Sequence, residues 1–134
     1  MFLVDTCGWI EWLTNGKLSD QYEPYFNQID SMIVPTSVQF ELYKWVARVS
    51  SIQQALETIA LTEQATVIPL STSIALSAAD FSAEHKLSFA DSIIYATAQF
   101  NQANLVTSDD HFKGLVDVDY FEKKSIHDIG ITPH

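Results

Sequence analysis

Four carboxylates occupy positions from which they can act together. Asp5 ends the apolar run Phe2-Leu3-Val4, and Asp109 follows Leu105-Val106-Thr107 after one residue. Glu41 lies within SVQFELYKWVAR and Asp91 within LSFADSIIYATAQF. Short apolar runs bounded by polar residues read as buried strands. In open α/β sheets, ligands gather beyond the carboxyl ends of such strands. Two strands therefore each deliver an aspartate to the same rim. Converging carboxylates repel one another and raise one another's pKa values unless a cation joins them. A hard divalent cation meets that need, and it also accepts phosphate oxygens and activates water for in-line attack at phosphorus.

Each residue also has a plainer reading. An aspartate after a strand often caps the next helix, which would account for Asp5 or Asp109 singly. Ser88-Phe-Ala-Asp91 is a capping sequence, with Asp91 in a first helical turn where the macrodipole favours an anion. Glu41 falls at the edge of the stripe Val38, Leu42, Trp45 and Val49, where it could simply meet Lys44 and Arg48 as a solvated surface residue. The joint arrangement, not any single residue, carries the chemical reading.

The elements that must position these groups alternate along the chain. Strands are expected at Met1 to Val4, Met32 to Val34 (stopped by Pro35), Thr66 to Ile68, Leu105 to Thr107 and Val118 to Phe121. Helices are expected from Thr6 to Leu13, ended by Asn15-Gly16, and from Ser19 to Ile29, with Pro24 a possible break. Further helices follow from Ser37 through Val49, through Ile52, Leu56, Ile59 and Ala60, from Thr72 to Glu84 and from Phe89 to Gln102. Strands separated by helices imply an α/β domain with a mostly parallel sheet covered on both faces.

The totals fit one domain over residues 1–134, with an apolar fraction of 47% that suffices for a core. The 4 Gly and 4 Pro are scattered, so no linker or repeat is expected. The single Cys7 cannot form an intramolecular disulfide, no secretory signal is evident at the N-terminus, and no apolar run is long enough to span a membrane. A reducing cytoplasm is the expected setting. A net charge of −10, from 17 acidic and 7 basic residues, argues against polyanion binding through a broad basic field. It leaves open phosphate binding through a metal ion. Cys7 and the histidines, His85, His111, His127 and His134, show no metal-ligand spacing in sequence; the histidines read as surface or loop residues, with phosphate contact a possible role for His111.

Taken in order, FLVDT, FEL on a helix, FADSIIYATA and LVTSDDHF resemble the PIN-domain nucleases, in particular the VapC-like toxins of bacterial toxin–antitoxin pairs. The resemblance covers nearly the whole chain. It implies a three-layer α/β domain whose parallel sheet of about five strands carries the acids at its strand ends. It further implies that Asp5, Glu41, Asp91 and Asp109 are the catalytic acids and hold Mg²⁺ or Mn²⁺. Thr6 matches the hydroxyl residue after the first aspartate, and Asp110 is the substitute should Asp109 turn away. The implied activity is endonucleolytic cleavage of RNA, leaving 5′-phosphate and 3′-hydroxyl ends. The implied partners are an antitoxin, whose peptide lies in a groove near the first helices, and a second copy of the chain in a homodimer. Lys44 and Arg48, near Glu41, could steer the phosphate backbone, or form a solvated helix edge. Trp9, Trp12 and Trp45 are shared between core packing and that groove.

Two departures from the family pattern stand out. Cys7 replaces the more usual Asn or Ser, and bulky Tyr43, Lys44 and Trp45 follow Glu41. Two rival readings remain. A haloacid-dehalogenase-like phosphatase would need a second aspartate two residues after the first, where Cys7 stands. The other is a PIN-like fold that has lost catalysis and serves as a binding or assembly module.

Overall fold

The computed structural model describes residues 1–123. At its centre are five strands: β1 (Phe2–Val4), β2 (Met32–Pro35), β3 (Thr66–Ile68), β4 (Asn104–Thr107) and β5 (Val118–Tyr120). They pair in the order β3-β2-β1-β4-β5, and every neighbouring pair is parallel. Leu3, Val4, Leu105 and Val106 are fully buried, as expected for strands covered on both faces. The chain runs outward from β1 through β2 to β3, then returns to place β4 on the other side of β1. The seam between β1 and β4 is therefore the point where strand order reverses, with Leu3 opposite Leu105 and Val4 opposite Val106. Ligand crevices form at such a point.

Six α-helices flank the sheet among the described residues: α1 (Thr6–Leu13), α2 (Ser19–Phe26), α3 (Thr36–Val49), α4 (Ile52–Thr62), α5 (Thr72–His85) and α6 (Phe89–Phe100). Their starts follow from polar caps. Asp5, Ser51, Ser71 and Ser88 each accept a backbone N–H from the first turn of α1, α4, α5 and α6, respectively. Lys86, in the left-handed region at φ 57°, ends α5 and turns the chain into α6. The main core joins Leu3, Val4, Trp9, Tyr22, Met32, Leu42, Leu105 and Phe112, while Ile74, Ala78, Ile93 and Ala96 form a smaller cluster between α5 and α6. No described helix is long and apolar enough to cross a membrane.

Several expectations need correction. Pro35 does not stop β2 but belongs to it, paired with Ile68, and α3 starts immediately after it. Pro24 lies inside α2 without breaking it, and the helix ends at Phe26, with a separate 3-10 turn over Ile29–Ser31. The stripe expected to bury α4 faces outward: Ile52 and Leu56 are 62% and 57% exposed, and the helix instead buries Ala55, Thr58 and Thr62. Small side chains let α4 lie close on α3, where Gln39 Nε2 donates to Thr62 Oγ1 at 3.0 Å. Val49 is likewise exposed rather than part of the α3 stripe. His85 is not a simple surface residue, since its ring packs with Phe81 and Tyr95. His127 and His134 lie outside the described residues.

The first turn of α1 is pressed onto the sheet at Gly8. A Cβ there would lie 2.5 Å from Val4 Cγ1 and 2.7 Å from Tyr22 Cε1, both on fully buried residues. Gly8→Ala is therefore expected to destabilise the fold by about 1–2 kcal/mol, overpacking outweighing the gain in helix propensity. Urea unfolding of the variant checks this. An unchanged or raised midpoint would show that α1 shifts away from Val4 without cost.

Candidate metal centre

Asp5 lies one residue past β1, and its backbone N–H reaches Val106 O across the seam at 3.4 Å. The residue is 2% exposed. Its Oδ1 accepts the Gly8 N–H at 2.9 Å, and its Oδ2 accepts the Thr107 hydroxyl at 2.6 Å. Asp5 is thus a helix cap and a member of the rim at once. Burial pushes its pKa from 3.8 up to about 6, against the opposing pull of the Thr107 and Gly8 hydrogen bonds; Asp109 and Asp91 add smaller repulsion.

Thr107 also fixes Asp109, because its Oγ1 accepts the Asp109 N–H at 2.9 Å. Asp109 caps the short 3-10 turn Asp110–Phe112 through the His111 N–H, also at 2.9 Å, and Phe112 anchors that turn in the core. Asp91 arrives from the first turn of α6. Ser88 Oγ accepts the Asp91 N–H as the cap there, and the Asp91 carboxylate meets His111 at the rim. Its pKa is raised by burial first and by Asp109 second.

His111 completes this side. Its Nδ1 lies 3.2 Å from both Asp91 Oδ2 and Asp109 Oδ1, and its pKa is raised by the Asp109 charge first, then by the hydrogen bond with Asp91. Potential ligand atoms of Asp91, Asp109 and His111 lie within 4.8 Å of one another, as do those of Asp5, Cys7 and Asp109. Asp109 belongs to both groups. The Cys7 residue is exposed, yet its thiol is pushed up to about 11, by desolvation first and then by Asp5 and Asp109, which keeps it protonated.

Glu41 is set to one side. The Thr6 hydroxyl donates to Glu41 Oε1 at 2.6 Å, so α1 places Asp5 and the Glu41 partner on consecutive residues. The expected contacts of Glu41 with Lys44 and Arg48 are not found among the described ion pairs; Lys44 Nζ instead lies 5.9 Å from the centre of the Phe40 ring. Thr6, Glu41, Lys44 and Arg48 line a groove of about 300 Å³ with Ile10, Phe40 and Trp45. Trp9 is fully buried, and Trp12 stacks on Phe26. Asp110 is exposed and outside both groups, while Asp109 faces the rim, so no substitution of one for the other occurs.

The sequence placed His111 near the site as a possible phosphate contact, but not its contact with two carboxylates, and it did not reveal the part of Thr107 or the place of Cys7 beside Asp5 and Asp109. The three groups meet across different elements, so linear ligand spacing carries no sign of them. The Thr-Ser-Asp stretch after β4 was the one available signal for Thr107.

The unfolded chain has an ordinary Asp5 pKa near 3.8, whereas the folded value is about 6. Between those values the native state binds more protons, so this group's contribution falls as pH rises, by about 3 kcal/mol in total above pH 6. In EDTA, the urea midpoint of the wild type should carry this decline between pH 4 and 7, and Asp5→Asn should remove it. An identical slope in the variant would refute the burial effect.

The described fold agrees with comparisons to known proteins. The PIN domain family model matches residues 2–117. No curated protein matches the chain. Among solved structures, a toxin–antitoxin complex from Klebsiella pneumoniae has a TM-score of 0.77 at 22% identity, covering 89% of this chain and 96% of its own. VapBC-1 from nontypeable Haemophilus influenzae gives 0.69 at 20%, covering 90% and 96%. VapC20 from Mycobacterium tuberculosis, a Sarcin-Ricin loop cleaving toxin, gives 0.66 at 15%, covering 78% and 87%. These likenesses show a shared fold. With the family model spanning β1 to β4 and all six α-helices, the chain belongs to the PIN-domain family.

Proposed function

We propose that this protein is a divalent-metal-dependent endoribonuclease acting as the toxin of a toxin–antitoxin pair. The observation that carries this reading is that Asp109 lies beside both Asp5 and Asp91 in two adjoining groups of potential ligand atoms, with the pKa values of Asp5 and Asp91 raised. Such a cluster is electrostatically unsatisfied by itself, and a cation relieves it.

The residues fit Mg²⁺ or Mn²⁺. Although both Asp5 oxygens are engaged, each accepts only one hydrogen bond and retains a second lone-pair site. Asp5, Asp91 and Asp109 would hold the principal ion, with Glu41 supporting a water or second ion through its Thr6-fixed carboxylate. When bound, the ion supplies charge stabilisation at the phosphate and a more acidic water. The protein's own part is to fix these carboxylates: Thr107 orients Asp5 and the Asp109 backbone, and Thr6 orients Glu41. Glu41, outside the principal ligand set, would be the carboxylate to take a proton from the attacking water. Lys44 and Arg48, on the groove beside Glu41, would position the RNA backbone, which carries the charge but not the sequence of the substrate.

The same groove supports an antitoxin as partner. Its apolar members Ile10, Phe40 and Trp45 suit a peptide side chain, and the −10 charge suits a basic one. One of the fold neighbours is a toxin–antitoxin complex. A homodimer is part of the same reading.

Purified protein should cut a panel of structured RNAs in Mg²⁺, leaving 5′-phosphate ends. EDTA should abolish cleavage, and Asp5→Asn should reduce it by at least about 100-fold. Cleavage that survives both changes would sink the metal mechanism. Equal silence of wild type and variant with metal supplied would favour a binding or assembly module.

A further inference from the structure

The acidic centre proposed above has no use for a histidine, yet the fold delivers one to it. His111 sits in the 3-10 turn that Asp109 caps, and Phe112, fully buried, pins that turn to the core. The turn brings the imidazole back over the carboxylates, with Nδ1 at 3.2 Å from an oxygen of each of Asp91 and Asp109. The side chain is 70% exposed, so these polar contacts rather than packing hold the ring in place.

Two chemistries fit one ring nitrogen between two carboxylates. The first is a counter-charge, which any incoming cation must displace. The second is a ligand set of one nitrogen and two oxygens, all within 4.8 Å of one another. The donor types distinguish them. Mg²⁺ takes oxygen ligands and gains little from imidazole, whereas first-row transition ions bind it well, with affinity rising from Mn²⁺ through Co²⁺. Both chemistries act through the single atom Nδ1, which lies 3.2 Å from each carboxylate, so ion selectivity separates them.

We infer that His111 binds, through Nδ1, the divalent ion held by Asp91 and Asp109, and that it gives this centre a preference for transition-metal ions over Mg²⁺. The inference rests on the proposed metal centre and adds a nitrogen ligand to its carboxylates.

Pulsed EPR of the full chain loaded with one equivalent of Mn²⁺ tests it without reference to activity. Nitrogen hyperfine coupling is expected in the wild type and should be lost in His111→Ala. By calorimetry, the variant should bind Co²⁺ at least about tenfold more weakly, with Mg²⁺ affinity changed by less than about threefold. Bound Mn²⁺ without nitrogen coupling, or coupling that persists in the variant, would overturn the role of His111 alone. Tighter binding of every ion by His111→Ala would identify the ring as a displaced counter-charge and also overturn it. A free-ion Mn²⁺ signal unchanged by wild-type protein would overturn the centre itself.

Discussion

The hydrogen bond from the Thr107 hydroxyl to Asp5 joins the two strands on which everything at the rim depends. A hydroxyl has one proton to give. Donated to Asp5, it leaves the Thr107 oxygen to accept the Asp109 N–H, so the series Asp109 to Thr107 to Asp5 has a single direction. The parallel register of β1 and β4 is what brings these groups within reach, since Val4 lies opposite Val106 one residue before each partner. A slip of one residue would turn Thr107 to the other face and leave a buried carboxylate without its strongest neutral donor. Sheet register and carboxylate placement are thus one constraint.

The alternation of strands and helices was legible because short apolar runs are separated by clear polar starts, and Ser88, Ser71 and Ser51 mark real helix entries. What the pattern could not show was which face of a helix is buried when small residues form the contact. In α4, Ala55, Thr58 and Thr62 are covered while Ile52 and Leu56 are not, because closeness of approach, not side-chain size, decides the packing against α3. The acids were legible by position but not by duty. Capping and rim membership looked like alternatives for Asp5, yet one oxygen does each. For Asp91 the separation is between residues: Ser88 caps, and the aspartate meets His111 at the rim. The nearness of His111 to the site was legible from TSDDHF, but not its carboxylate partners, because its direction is set by a three-residue turn anchored by Phe112 in the core.

Glu41 shows how the same helix serves two places. Asp5 faces the β1–β4 seam while its neighbour Thr6 holds Glu41 across to α3, so α1 begins as a bridge between the acidic centre and the groove. Gly8 sets how closely that bridge lies on the sheet. Trp45 and Lys44 on α3 share the groove that Thr6 and Glu41 line beside the seam.

The outward apolar side chains of α3 and α4 set a colloidal condition on the molecule. Phe40, Ile52 and Leu56 are each more than half exposed, and at neutral pH mutual repulsion between chains bearing −10 charges keeps such surfaces apart. The isoelectric point lies near 4.5, in the same range where protonation relieves the buried Asp5. Acid therefore eases strain inside each molecule while removing the repulsion between molecules. The conditions in which a single chain holds its acidic centre most comfortably are those in which many chains are least able to remain dispersed.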